Sequence, residues 1–275
     1  VHSNAALRGF TVTFSRGIEM SAGVVADCII TNCADTRNVS TAPTVGNYRI
    51  PGGGGIRMSD GLVERCIIAS NTAYNTANGN SDGGGVYMTG GTISNSLIIG
   101  NIAYTQPGYS GTSKGGGVFL GGPGRLANCT IARNMIQRAN GAATYGGGIY
   151  RSHTGSSIEN CIVWFNLGTN AIEDIYATVP ETGITFSCSP GLTNTLAGNI
   201  TNDPLFVVSG EGFGLTNRFT DCHLTVASPC RNTGSLDPAL AATFDLEGRP
   251  RVMGGRVDMG CYELPPEKGT LILIR

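Results

Sequence analysis

A run of three glycines recurs through the first half of this chain, each time opening a segment of the same design. Gly53-Gly54-Gly55-Ile56-Arg57-Met58 leads to Cys66-Ile67-Ile68-Ala69-Ser70-Asn71, and Gly83-Gly84-Gly85-Val86-Tyr87-Met88 leads to Ser96-Leu97-Ile98-Ile99-Gly100-Asn101. Gly115-Gly116-Gly117-Val118-Phe119-Leu120 and Gly146-Gly147-Gly148-Ile149-Tyr150 lead likewise to Cys129–Asn134 and Cys161–Asn166. A degenerate earlier copy runs from Arg16-Gly17-Ile18-Glu19-Met20 to Cys28-Ile29-Ile30. The apolar residue after the glycines stands at 18, 56, 86, 118 and 149, in steps of 38, 30, 32 and 31 residues. Self-similarity at such a period marks a solenoid, whose units bury their apolar faces only against their neighbours.

Within a repeat the apolar residues alternate on the period of two, which is a strand pattern. A first strand follows the glycines and turns Ile56 and Met58, Val86 and Met88, or Val118 and Leu120 inward. A brief second strand includes Thr92 and Ile93, and a third turns Cys66 and Ile68, or Cys129 and Ile131, inward. The expected fold is all-β: a single-stranded, right-handed parallel β-helix with three faces. Cys28, Cys66, Cys129 and Cys161 share one repeat position and are expected to stack in the core as free thiols. Asn71, Asn101, Asn134 and Asn166 close the third strand. They are expected to take a left-handed backbone there and to hydrogen-bond their copies one rung away. The glycines supply positive φ at another corner. A bare turn of such a coil needs only about twenty-odd residues. Residues 34–52, 72–82, 102–114 and 135–145 are therefore read as insertions, projecting as loops from one corner. The domain spans 1–263, with regular rungs to about 166 and irregular rungs and a cap over 167–263; residues 264–275 read as a linker or terminal strand. Val1 falls in mid-repeat on an uncapped rung, so the chain reads as a piece of something longer.

Composition narrows the function classes. Charged residues are 13% of the chain, about half the usual share, and glycines number 42. A net charge of −1 leaves no electrostatic footprint for nucleic acid, and no apolar run reaches the length of a membrane span. Of nine cysteines, none shows the CxxC spacing of a zinc site, and the sequence indicates no metal or cofactor. Cys188, Cys222, Cys230 and Cys261 lie outside the ladder and are free to pair, with connectivity open.

The C-terminal third carries an ordered series: Gly198-Asn199-Ile200, Asp203-Pro204-Leu205-Phe206, His223-Leu224 and Ser228-Pro229-Cys230. It ends with Asp245-Leu246-Glu247-Gly248-Arg249-Pro250-Arg251 and Val257-Asp258-Met259-Gly260-Cys261-Tyr262-Glu263. This series resembles the choice-of-anchor Q domain family, right-handed parallel β-helix proteins of bacterial surfaces. The upstream GGG and NCxI repeats are similar to those of polymorphic outer-membrane proteins and other pectate-lyase-like solenoids. The resemblance implies an extracellular or cell-surface location and tethering through a variable C-terminal anchor. Asn232 stands where the family usually has Asp, and Cys261 where it usually has Ala, which brings a disulfide to Cys230 or Cys222 into view. Asp245, Arg249, Arg251 and Asp258 are expected to form an ion-pair network in the cap.

Alternation on the first strand sends Glu19, Arg57, Tyr87, Phe119 and Tyr150 outward, one per rung. Three stacked aromatics make a strip whose flat surface and hydrogen-bonding edges suit sugar rings. The leading expectation is glycan binding along this face by an adhesion module, walled by Tyr74, Tyr104, Tyr109 and Tyr145. The alternative is that the loops fold over the strip and bury it. A polysaccharide lyase or hydrolase of the pectate-lyase-like group is the second functional reading. Its candidate groups are Glu19, Asp27, Asp60, Glu64 and Asp82 as acids, and Lys114, Arg57, Arg151 and His153 as bases. No paired carboxylates or acidic calcium cluster accompany them. A stalk segment that stacks end to end is the third. A further outward line, Ile29, Ile67, Leu97, Thr130 and Ile162 with Trp164 nearby, is covered either by the loops or by another chain in lateral self-association.

Overall fold

The computed structural model describes the chain apart from residues 4, 36–51, 76–79, 109–110, 139–143, 194–196, 219, 236, 238–242 and 267–275. Tyr109, most of the first insertion and the segment read as a terminal strand lie outside the described residues.

The glycine-led strands Ile18–Met20, Ile56–Met58, Val86–Met88, Val118–Leu120 and Ile149–Arg151, continued by Ile175–Ala177, form one six-stranded sheet, sheet I. Sheet II gathers seven strands, among them Val24–Ala26, Leu62–Glu64, Thr92–Ser94, Arg125–Ala127 and Ser157–Glu159. Sheet III gathers Thr11–Thr13, Ile29–Thr31, Ile67–Ala69, Leu97–Ile99, Thr130–Ala132 and Ile162–Trp164. Every pairing in these sheets is parallel and follows the sequence repeat: Val86 lies between Ile56 and Val118, and Val118 next to Ile149. The architecture is all-β, with parallel strands stacked as in a β-helix. One continuous apolar column fills the interior, from Ile18 and Met20 through Val86, Ile93 and Ile98 to Ile158 and Ile184. Each such side chain, withdrawn from water, contributes roughly 1.5–3 kcal/mol before entropy is counted.

The corners explain why the glycine triplets and asparagines recur. In the Gly83–Gly85 triplet the first glycine holds φ +70. A Cβ on the second would meet the Gly116 carbonyl oxygen of the next rung at 2.3 Å, and one on the third would meet Asn101 Nδ2 at 2.8 Å. The third glycine thus makes room for the asparagine that closes the same rung. Asn71, Asn101, Asn134 and Asn166 form a buried ladder. Each Nδ2 donates to the next Oδ1, at 3.0, 2.9 and 2.9 Å for the first three, and also to a backbone carbonyl of the preceding rung. Their backbones are not left-handed, contrary to expectation. That conformation falls one residue earlier, at Ser70, Gly100, Arg133 and Phe165 (φ 56 to 64). Left-handed asparagines of the repeat include Asn95, Asn128 and Asn160, at the corner between sheets II and III. They make a second side-chain ladder, with Nδ2 to Oδ1 distances of 3.1 and 3.0 Å.

The cysteines of the repeat stack between these ladders, with Ser96 and Ser187 in the same column. Each thiol or hydroxyl donates to the carbonyl two residues back, as in Cys129 to Ala127 at 3.2 Å and Ser96 to Ser94 at 2.7 Å. All nine cysteines are buried and unbonded, including Cys33, which occupies the asparagine position of an early rung. Burial pushes the Cys66 thiol up to about 12, which leaves it inert.

Two departures from the sequence reading concern what lies outside the column. The insertions are not bare loops. Their outgoing stems, Ala34–Asp35, Thr72–Asn75, Ile102–Thr105 and Met135–Arg138, pair into a fourth parallel sheet. Their returning stems, Ser81–Asp82, Ser113–Lys114 and Thr144–Tyr145, pair into a fifth. The two layers make a wing with a polar interior, where Ser81, Thr105 and Ser113 hydroxyls meet at 2.8–3.0 Å. The repeat also outlasts Asn166: Ile175 pairs with Ile149, and Ile184 with Ile158. Beyond Leu192, which packs against the end of the column, the chain adds one more irregular rung, in which Ile200 bridges Cys188 in parallel and Asn199 Oδ1 accepts the Ser187 N–H at 3.0 Å. It then turns back and lies along the outer face of sheet III.

This returning arm answers the question of the second apolar line. Leu97, Ile99, Ile162 and Trp164 are buried against Phe206, Leu224, Cys230, Met259 and Cys261 of the same chain. Backbone contacts register the arm on the rungs: Gly260 N–H donates to Asn160 O at 2.7 Å and Cys261 N–H to Thr130 Oγ1 at 3.1 Å. Ile29, on an earlier rung, remains 41% exposed. The residues of the expected ion-pair network lie inside the arm, but Arg251 pairs with Glu263, while the Asp258 carboxylate accepts the backbone N–H groups of Asn232 and Leu264. Arg251, fully buried, stands 3.1 Å from Glu263 Oε1 as an ion pair and donates to Asp258 O at 2.6 Å. Asp245 accepts the backbone N–H groups of Glu247, Arg249 and Glu263, while the Arg249 side chain stands 3.8 Å from it. These groups knit the arm's turns together. Desolvation dominates at Glu263 and raises it to about 8 despite Arg251.

Candidate functional site

Register stacking brings the outward residues of sheet I together as the alternation demands. Tyr87, Phe119 and Tyr150 stack with centroids 4.8 and 5.4 Å apart, and the column continues to Tyr176 at 5.8 Å. Tyr176 escaped the sequence reading because its rung carries no glycine triplet and follows its predecessor by only 26 residues. Arg57 lies over the open side of Tyr87 at 4.3 Å, with Glu19 beyond it in register. Interplanar angles of 7 to 11° mean that neighbouring rings cover each other's faces. The strip therefore shows ring edges and hydroxyls to the outside, not the flat surface on which a sugar ring stacks. Tyr150 is buried, whereas Tyr87, Phe119 and Tyr176 are half-buried.

The returning layer of the wing flanks this column. Asp82, Lys114 and Tyr145 are in register. Lys114 Nζ stands 5.1 Å from the Tyr150 ring, and Tyr145 leans on both Tyr150 and Tyr176. Burial raises the Asp82 carboxyl to about 7, with Lys114 opposing the shift. Other acids and bases considered for catalysis are engaged structurally. Arg151 is fully buried and donates to Ser156 and to Pro180 O, so it is not a surface base. Asp27 is gripped by Arg65 at 2.7 and 3.1 Å, and His153 Nδ1 accepts the Gly155 N–H in an exposed turn. Among the described residues there is no group of three or more His, Cys, Asp or Glu placed to hold a metal ion.

Tyr74 and Tyr104 are not walls of the strip. They lie on the outgoing layer of the wing, stacked on each other at 4.9 Å and 16°. There, with Ala34, Thr72, Ile102, Gln137 and Leu215, they line an open groove of about 540 Å³. The alternation of the outgoing strands sets its floor. Thr72 and Tyr74, Ile102 and Tyr104, and Gln137 face the groove, while Ala73 and Asn75, Ala103 and Thr105, and Ile136 face the wing interior. Tyr74 donates its hydroxyl to Gln106 Oε1 at 3.4 Å, and Gln137 is exposed.

The other wall belongs to the arm. A turn of 3₁₀ helix, Gly214–Thr216, presents Leu215 to the groove. It sits so close to the wing that a Cβ at Gly214 would meet Ile102 Cγ1 at 2.6 Å and Met135 Sδ at 2.7 Å. Arg133 fixes this turn. Its guanidinium donates to Ser209 O at 2.8 Å, Gly210 O at 2.7 Å and Gly212 O at 3.4 Å, stacked on Phe165 at 4.6 Å. Its own carbonyl accepts the Gly214 N–H at 2.8 Å. Burial among carbonyls lowers the Arg133 pKa without removing its charge at neutral pH. No sequence signal marks Arg133, since its partners are main-chain oxygens some 76 to 79 residues away. Arg133→Lys keeps the charge and the left-handed backbone but replaces the fork by a single point donor. The expected result is a loss of about 2–3 kcal/mol in urea unfolding and faster proteolytic cleavage within 209–216. An unchanged cleavage rate would show that the cage does not hold the turn.

No helix among the described residues is long and apolar enough to cross a membrane. Compared with known proteins, the chain matches no family model, no curated protein and no solved structure.

Proposed function

We propose that this protein is a secreted or cell-surface module that binds glycans, built on a right-handed, three-faced parallel β-helix. The observation that carries the reading is the groove between wing and arm, where the Tyr74–Tyr104 stack and Gln137 stand opposite Leu215. Pyranose rings carry apolar C–H faces rimmed by hydroxyls. The groove offers matching partners: apolar surface from Ile102 and Leu215, the exposed edges of the stacked Tyr74 and Tyr104 rings, and the hydroxyl and amide groups of Thr72, Tyr74, Tyr104 and Gln137. The strip on sheet I plays a different part. Its mutually covered rings stabilise the stacking of the rungs and stiffen the edge from which the wing projects. The likeness to surface-anchored β-helix domains supports an extracellular setting, in which a rigid column carries the groove away from its anchor.

The test is retention on a glycan array. Replacing Tyr74 and Tyr104 together by alanine is expected to weaken binding tenfold or more, with the melting transition retained. Tyr87→Ala is expected to lower the melting temperature and to leave the affinity of the folded protein unchanged. Undiminished retention by the groove double variant would overturn the assignment.

A further inference from the structure

Resting on the glycan-binding reading, we infer that the groove takes a neutral, linear polysaccharide laid along the stacking axis, and discriminates against acidic ones. The first ground is charge. The described residues lining the groove, Ala34, Thr72, Tyr74, Ile102, Tyr104, Gln137 and Leu215, include no Asp, Glu, Lys, Arg or His. The charged residues of the same strands are placed elsewhere by alternation. Asp35 lies next to Ala34, which faces the groove, and is itself fully buried. Arg138 follows Gln137 and pairs beside Thr105, on the side of the polar wing interior. Arg133, the rung residue that holds the arm wall, is enclosed by the carbonyls of Ser209, Gly210 and Gly212. A uronate or sulfate entering this groove gives up water and finds no counter-charge among the described lining residues, which is costly, whereas hydroxyls and acetamido groups find donors and acceptors.

The second ground is periodicity. Parallel rungs repeat at about 4.8 Å, so a ligand along the axis meets the same column of positions at each step. Tyr74, Tyr104 and Gln137 are one such column, and Ala34, Thr72 and Ile102 another. The floor from Ala34 to Gln137 crosses four rungs, about 14 Å, enough for a short run of sugar residues. Hydrogen-bonding groups from Thr72, Tyr104 and Gln137 on successive rungs select an extended chain over a lone terminal sugar.

The experiment is titration calorimetry of the full chain with two probe sets of two to six residues, neutral gluco- and manno-oligosaccharides and acidic oligogalacturonates, at low and high salt. The expected result is binding of a neutral series, with affinity rising to about three or four residues and then level, within twofold between salt concentrations. Gln137→Ala is expected to weaken it about tenfold, with unfolding unchanged because Gln137 is exposed. Tighter, salt-sensitive binding of the oligogalacturonates would overturn the inference while leaving a glycan-binding protein. Binding of neither set would remove both the inference and the reading under it.

Discussion

Asp174→Asn is expected to stabilise the protein by about 2–4 kcal/mol at pH 8 and to change it little at pH 4. Asp174 stands before Ile175, at the place the third glycine takes in the preceding rungs, where its carbonyl accepts the Ile149 N–H at 2.8 Å. Its side chain turns inward and ends the asparagine ladder: Oδ1 accepts the Asn166 N–H and Nδ2–H, both at 2.8 Å. Oδ2 is buried without a hydrogen-bond partner, and desolvation raises the carboxyl from the ordinary 3.8 to about 7. A raised carboxyl binds its proton more tightly in the folded chain than in the unfolded one. Its contribution is therefore most favourable below about pH 4, declines as the pH rises from about 4 to about 7, and stays flat above. Asparagine keeps the acceptor and carries no charge, so that decline disappears. Urea unfolding of both proteins at several pH values reads the difference directly. The slopes due to Asp82 and Glu263, raised to about 7 and about 8, remain in both. A stabilisation equal at pH 4 and pH 8 would mean that charge burial is not its origin.

Gly84→Ala is expected to cost about 4 kcal/mol or more, or to prevent folding of the middle rungs altogether. The added methyl would meet the Gly116 oxygen at 2.3 Å and the Ile102 carbonyl carbon at 2.3 Å, both main-chain atoms with no rotamer to yield. Relieving the clash requires two rungs to part, which breaks the pairing of Val86 with Val118 and the Asn101 ladder bond beside it. Because each rung is held only by its neighbours, the damage falls on the column as a whole. Gly191→Ala, whose methyl would meet nothing within 4 Å, is the control and is expected to stay within about 0.5 kcal/mol. Equal melting temperatures for the two variants would contradict the close packing described at the corner.

Much of this molecule is legible from spacing. Stacking is a local rule repeated, so a thirty-residue period places Val86 beside Val118 without knowledge of anything else. The strip Tyr87–Phe119–Tyr150 follows from the same rule. The rule is silent on ring orientation. In-register rings one rung apart pack face to face, and that turns a surface suited to sugars into one largely covered by itself. Tyr74 and Tyr104 share a repeat position, and their mutual contact is implied by the sequence. Which side of the wing they face is not, because it depends on the strand alternation beyond Asn71 and Asn101. The cysteine and asparagine positions were visible as columns. Yet the left-handed residue at the bend is set by the backbone path, and it lies one step before each ladder asparagine.

The sequence by itself determined the column: strands, corners, glycine triplets and inward residues all repeat, and near-neighbour contacts between copies require no long-range information. Only the tertiary structure decided where the non-repeating third goes. The arm binds through apolar area and through main-chain carbonyls offered to Arg133, and neither has a period or a residue code. That docking buries the outward face of sheet III and completes the groove, because one wall is written into the repeats and the other arrives from the part of the chain that has none.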